Sequence, residues 1–151
     1  MRRFLSSAFA SASSRHGRDT ARAMPEQNVE AFRRWAEAWN RDDFDAWIDG
    51  LDPEVEWFTL VEVYRGHAGA RQAWESLKGT QQPRVRIDDY RDLGESVLSL
   101  GEIITVGQRT RLSFSGEFAQ LVRFRDGKIA NLRDFPSHAE ALEAAGLSGG
   151  D

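Results

Sequence analysis

The 151-residue sequence contains no cysteine, three histidines and four prolines, and these shortages exclude whole classes of chemistry. Without a thiol there is no disulfide staple, no thiolate metal ligand and no cysteine nucleophile, and a reducing, cytoplasmic location is the expectation. His16, His67 and His138 lie far apart with no His-x-x-x-His spacing, and no EF-hand loop occurs. A protein-ligated metal is therefore not expected, and a site without cofactors is the starting point. No apolar run is long enough to cross a bilayer, so no membrane partner is expected. Gly-x-Ser-x-Gly, P-loop and Gly-x-Gly-x-x-Gly patterns are missing too, which leaves hydrolase triads, nucleoside triphosphatases and dinucleotide enzymes without support.

What remains is an ordinary globular composition: 40% apolar, 29% charged, with five tryptophans. Such a chain buries a core, and its length suits one domain. Residues 1–24 differ from the rest. They carry five arginines against the single acid Asp19 among Ser and Ala, a bias shared with transit peptides. Met24-Pro25-Glu26 also reads as a natural start, so 1–24 is expected to be a leader outside the fold, 25–146 the domain and 147–151 a flexible tail. From residue 25 on, 15 Lys and Arg stand against 23 Asp and Glu, a net charge of −8. A surface of that sign repels phosphate backbones, so nucleic acid is not an expected partner.

The first half has helical periodicity. Val29, Phe32, Ala36 and Trp39, with Trp35 beside them, form one stripe of a helix. Asn40-Arg41-Asp42-Asp43 interrupts it and supplies an N-cap for a short second helix with Phe44, Trp47, Ile48 and Leu51. Asp52-Pro53 closes that helix, and 55–60 reads as a strand. Tyr64-Arg65-Gly66 is a break before a third helix over 68–77. The second half has a period of two: a strand through Val85, Ile87 and Tyr90, two long runs at 97–106 and 110–125 joined near Gly107, an Asp126-Gly127 hairpin and a last strand over 128–135. Ser137 and Glu140 form a capping box for a terminal helix. Helices first and an antiparallel meander afterwards predict an α+β domain with the helices on one sheet face.

Side chains alternate across a strand, so the more apolar alternate set is expected to face the helices. On the 97–106 strand that set is Leu98, Leu100, Glu102, Ile104 and Val106. The following strand contributes Leu112, Phe114, Gly116, Phe118, Gln120, Val122 and Phe124, and the last contributes Ala130, Leu132 and Asp134. Glu102, Gln120 and Asp134 each interrupt a hydrocarbon row. A polar group survives there where it is paired, hydrated or beside a cavity. One reading is a pocket in which Glu102 and Asp134 are catalytic acid–base groups and Gln120 donates an amide hydrogen bond. The other is a bulge that turns these side chains to solvent. Trp35 and Trp39 read first as core, with one of them at a cavity mouth; Tyr64 reads as a loop aromatic or a ligand hydroxyl.

The run from Asn28-Val29-Glu30 through Ala36-Glu37-Ala38-Trp39-Asn40-Arg41-Asp42-Asp43-Phe44-Asp45 to Leu51-Asp52-Pro53-Glu54-Val55-Glu56-Trp57 resembles the opening of SnoaL-like proteins, members of the nuclear transport factor 2-like superfamily. Tyr64-Arg65-Gly66-His67-Ala68-Gly69, Phe124-Arg125-Asp126-Gly127-Lys128-Ile129 and Ala139-Glu140-Ala141-Leu142 look like that family's strand-to-helix junction, closing hairpin and last helix. The resemblance spans roughly 26–146. It implies a cone-shaped α+β fold in which three N-terminal helices and a C-terminal helix pack on a strongly curved, mainly antiparallel mixed sheet enclosing a pocket. It also implies a homodimer and a hydrophobic small molecule as partners. The family includes polyketide cyclases, ketosteroid isomerases, dehydratases, epoxide hydrolases and binding proteins, so fold alone does not fix a reaction. Against the ketosteroid isomerases, the general-base aspartate falls at Thr59, the oxyanion-hole tyrosine at Trp35 and the protonated aspartate at Gln120. None of these three residue types is kept. Glu102 matches a pocket-lining position, and Asp134 the carboxylate that cyclase-like members use.

Two functions follow as expectations. The first is a cofactor-free lyase, isomerase or cyclase using Glu102 and Asp134, with Trp35, Trp57, Thr59, Tyr64, Leu100, Phe118, Gln120 and Val122 around the substrate. The second is a ligand-binding or dimerising module with the same pocket and no turnover. A dimer through an outer face of Phe58, Ile103, Leu121 and Arg123 is a third idea.

Overall fold

The computed structural model describes residues 17–80, 82–106 and 113–147, with side chains from residue 26. Expectations that fall on residues 1–16, on the joint near Gly107 and on 148–151 lie outside the described residues. Element order is α1 (Gly17–Asn40), α2 (Phe44–Asp49), β1 (Leu51–Phe58), β2 (Val63–Arg65), α3 (Gly66–Thr80), β3 (Arg84–Asp92), β4 (Ser96–Val106), β5 (Ser113–Arg125), β6 (Lys128–Phe135) and α4 (His138–Ala144). The strands form one mixed, open sheet in the order β2-β1-β6-β5-β4-β3, antiparallel except where β1 runs parallel to β6.

Local chemistry fixes the boundaries. The Asp43 side chain accepts from the Ala46 amide at 3.2 Å and caps α2, while Asp42 takes φ 61° where α1 ends. Ser137 Oγ accepts from the Glu140 amide and starts α4 as the capping box predicts. Asp126 and Gly127, both with positive φ, turn β5 into β6. Three boundaries differ from expectation. Helix α1 begins at Gly17, ahead of Met24. Strand β1 begins at Leu51, and its parallel register to β6 shifts between Leu51 and Glu56, around Pro53, which has no amide to donate. Tyr64-Arg65 is a short edge strand, with Gly66 at φ 68° leading directly into α3.

The core lies between one face of the sheet and α1–α3. Trp47 is fully buried at its centre, with ring centroids 5.0–5.9 Å from Trp74, Trp39, Trp35 and Trp57. Burying such side chains contributes roughly 1.5–3 kcal/mol each, so this aromatic cluster anchors the helices to the sheet. Asn40 seals the end of α1 against β3: its Oδ1 accepts from the Val85 amide at 2.9 Å and its Nδ2 donates to the Val85 carbonyl at 2.7 Å.

The expectation that all helices share one sheet face is corrected. Helix α4 covers the opposite, outer face, where Ala141 packs with Leu98, Leu100, Ala119 and Phe135. The sheet is therefore buried on both sides along β4 and β5.

Candidate active site

A cavity of about 420 Å3 opens between the inner sheet face and the helices. Its walls are Trp35, Ala36 and Trp39 of α1, Leu77 of α3, Pro83, Val85 of β3, Ile103 of β4, Phe118 and Gln120 of β5, Trp57 of β1 and Tyr64 of β2. The β1–β2 loop, Thr59-Leu60-Val61-Glu62, forms one rim, and Asp134 of β6 is the carboxylate set among the largely apolar walls.

Register places Asp134. It lies directly opposite Gln120 in the β5–β6 ladder, and Gln120 in turn lies opposite Ser99 of β4. Gln120 Nε2 donates to Asp134 Oδ1 at 2.9 Å, and Trp57 Nε1 donates to the same oxygen at 3.0 Å. Among the described residues Oδ2 has no hydrogen-bond partner. Among the described residues no cation pairs with the carboxylate; burial dominates and pushes its pKa up to about 7, with the Gln120 and Trp57 hydrogen bonds pulling the other way. At neutral pH both protonation states are populated, as acid–base work requires. At the rim, Tyr64 donates to Glu62 Oε1 at 3.3 Å, and burial followed by the Glu62 charge raises the phenol's pKa.

The remaining expected site residues divide. Trp35, Trp57, Thr59, Tyr64, Phe118, Gln120 and Asp134 line the cavity. The Thr59 hydroxyl is already committed, donating to the Glu62 carbonyl at 2.8 Å and accepting from the Glu62 amide at 2.9 Å, so it closes the hairpin. Val122 faces the same side but is fully buried in the core. Glu102 and Leu100 do not reach the cavity. Leu100 packs under α4 on the outer face, and Glu102, one alternation further along, pairs with Arg86 of β3 at 3.3 Å.

The correction has a physical cause. Strand β4 is apolar on both faces because α4 covers one and α1–α3 the other, so the greasier alternate row is not the inner one. Residues 97, 99, 101 and 103 face inward, opposite Val122, Gln120, Phe118 and Gly116. The same phase turns Ile103, assigned above to an outer dimer face, into the cavity wall. Missed by sequence reasoning were Ala36, Leu77, Pro83, Val85 and Ile103, the loop residues Leu60, Val61 and Glu62, and the bond from Trp57 to Asp134. The last spans 77 positions and has no local signature.

The family model for the SnoaL-like domain matches residues 32–132. The chain belongs to the SnoaL-like family. Solved structures with the same fold include an NTF2-like protein of unknown function from Burkholderia pseudomallei, with TM-score 0.69, 21% identity, and coverage of 78% of this chain and 95% of that one. A candidate polyketide cyclase from Xanthomonas campestris pv. campestris matches with TM-score 0.69 and 17% identity over 80% and 98% of the two chains. A protein of ketosteroid isomerase-like fold from Catenulispora acidiphila, in complex with trimethylamine, matches with TM-score 0.66 and 18% identity over 78% and 93%. No curated protein matches the chain at a significant level. The SnoaL-like domain thus has the α+β cone of the NTF2-like fold, with four helices and a six-stranded mixed, open sheet among the described residues.

Proposed function

We propose that this SnoaL-like protein binds a hydrophobic small molecule in the cavity and exchanges a proton with it through Asp134, as a cofactor-free lyase, isomerase or cyclase. The observation that carries the reading is the state of Asp134: a carboxylate at the cavity wall, fixed at Oδ1 by two neutral donors and raised by burial to about 7. Its Oδ2, without a hydrogen-bond partner among the described residues, is the atom that takes or gives the proton.

The chemistry follows from the surroundings. In the base form, Oδ2 removes a proton from a carbon next to a carbonyl; the C–H bond breaks and its electron pair moves to the carbonyl oxygen as an enolate. Trp57 and Gln120 hold Asp134 in place, so little reorganisation accompanies the transfer. The second amide hydrogen of Gln120 orients a substrate oxygen. The carboxylic acid then returns the proton to the same intermediate at another carbon, or protonates the oxygen of a leaving group. The aromatic walls exclude water, which strengthens each of these contacts. Two relatives of this fold support a small-molecule role: the Xanthomonas protein as a candidate polyketide cyclase, and the Catenulispora protein, solved with a small organic amine.

A non-catalytic binding module is the second reading. It is favoured by the Thr59 hydroxyl being consumed within the hairpin, at the position where the ketosteroid isomerases place their base. One experiment separates the two. Aromatic and alicyclic ketones that quench tryptophan fluorescence are incubated with protein in D2O and followed by NMR. Deuterium entering an α-carbon with the wild type but not with Asp134→Asn supports proton transfer; binding without exchange above that variant leaves the binding module.

A further inference from the structure

Among the described residues the cavity lining carries charge of one sign. Two carboxylates face it, Asp134 at the wall and Glu62 at the rim, and among the described residues no Lys, Arg or His side chain lines it. Lys78 lies over the Trp39 ring at 4.2 Å but does not line the cavity; it donates to the Trp39 carbonyl and pairs with Asp42 at 2.8 Å. Apart from the neutral polar side chains of Gln120 and Thr59, the remaining lining is apolar or aromatic, with Trp57, Tyr64 and Phe118 contributing rings.

Three ligand classes fare differently against such a lining. An anion meets two carboxylates in a low-dielectric space and is repelled. A neutral hydrocarbon or ketone fills the volume but leaves the ionised form of Asp134 without a counter-charge, which costs free energy in a desolvated site. A positively charged nitrogen compensates that carboxylate at Oδ2 and is attracted by the negative faces of the surrounding rings.

We propose that the cavity selects a hydrophobic amine: an ammonium nitrogen with Asp134 as its counter-charge, flanked by aromatic rings, on a hydrocarbon body that fits about 420 Å3. The proposal rests on the reading of the cavity as a small-molecule site and adds the class of ligand.

The test compares three probes of similar shape by tryptophan fluorescence titration: benzyltrimethylammonium, its neutral carbon analogue neopentylbenzene, and phenylacetate. At pH 8 the ammonium is expected to bind about ten-fold more tightly than the neutral analogue, with phenylacetate weakest. The quaternary nitrogen does not titrate, so at pH 5, where Asp134 is protonated, its advantage should shrink to about two-fold or less. Of the groups that line the cavity with Asp134, Trp57 and Gln120 are its neutral donors and burial raises the Tyr64 phenol's pKa, which leaves Glu62 as the other carboxylate among the described residues. Asp134→Asn should remove the preference at pH 8 and Glu62→Gln should keep most of it. Equal binding of neopentylbenzene at pH 8, or an unchanged preference in Asp134→Asn, overturns the amine assignment and leaves the small-molecule cavity standing. Failure of all three probes to bind overturns both.

Discussion

Asp134 and Gln120 face each other across the β5–β6 ladder with Nε2 2.9 Å from Oδ1, an amide donor bound to a carboxylate that has no cation beside it among the described residues. Burial of that carboxylate has a measurable consequence for stability. The folded protein holds the Asp134 proton up to about pH 7, whereas the unfolded chain releases it near 3.8. Between these values the folded state binds more protons, so this group's contribution is fully present below pH 3.8 and is lost as pH rises through 7. Asp134→Asn removes the titration. Urea denaturation should show wild type and variant nearly equal at pH 4, with the variant the more stable at pH 8 by up to about 4 kcal/mol. A gap independent of pH would refute this account of Asp134.

Trp57 is the other donor on Oδ1, and its hydrogen bond favours the ionised form. Trp57→Phe keeps a ring in the wall but removes the N–H. The midpoint of the pH–stability transition should then rise by roughly one unit. A midpoint that stays put or falls would show that the bond does not hold the carboxylate.

Glu102 is a control on direction. Its side chain is 37% exposed and paired with Arg86 on the face away from the cavity. Glu102→Gln should change stability by no more than about 1 kcal/mol, as exposed ion pairs do, and leave probe binding unaltered. A several-fold loss of affinity would mean that the residue reaches the ligand after all.

Two glycines on neighbouring strands separate packing from conformational freedom. A Cβ built on Gly101 would sit 1.9 Å from the Arg86 carbonyl oxygen, where the β3 register shifts between Ile87 and Asp89, whereas one on Gly116 meets nothing within 4 Å. Gly101→Ala should cost roughly 3 kcal/mol in denaturant unfolding because backbone has to move. Gly116→Ala should be neutral or stabilise by about 0.5 kcal/mol.

Periodicity, capping residues and turn dipeptides are local properties, and they determined most of this protein from sequence: the Trp35–Trp39 helical stripe, the Asp43 and Ser137 caps, the Asp126-Gly127 hairpin, the SnoaL-like order of elements, and the inward phase of β5 with Gln120. Tertiary structure alone decided which row of β4 faces the cavity. That strand is sandwiched between α1–α3 and α4, so Leu98 and Leu100 are as buried as the residues on its other face, and hydrophobic alternation carries no direction there. Strand neighbours likewise set the state of Asp134, because Trp57 arrives through the parallel β1–β6 pairing from 77 residues away, and desolvation depends on walls drawn from both halves of the chain.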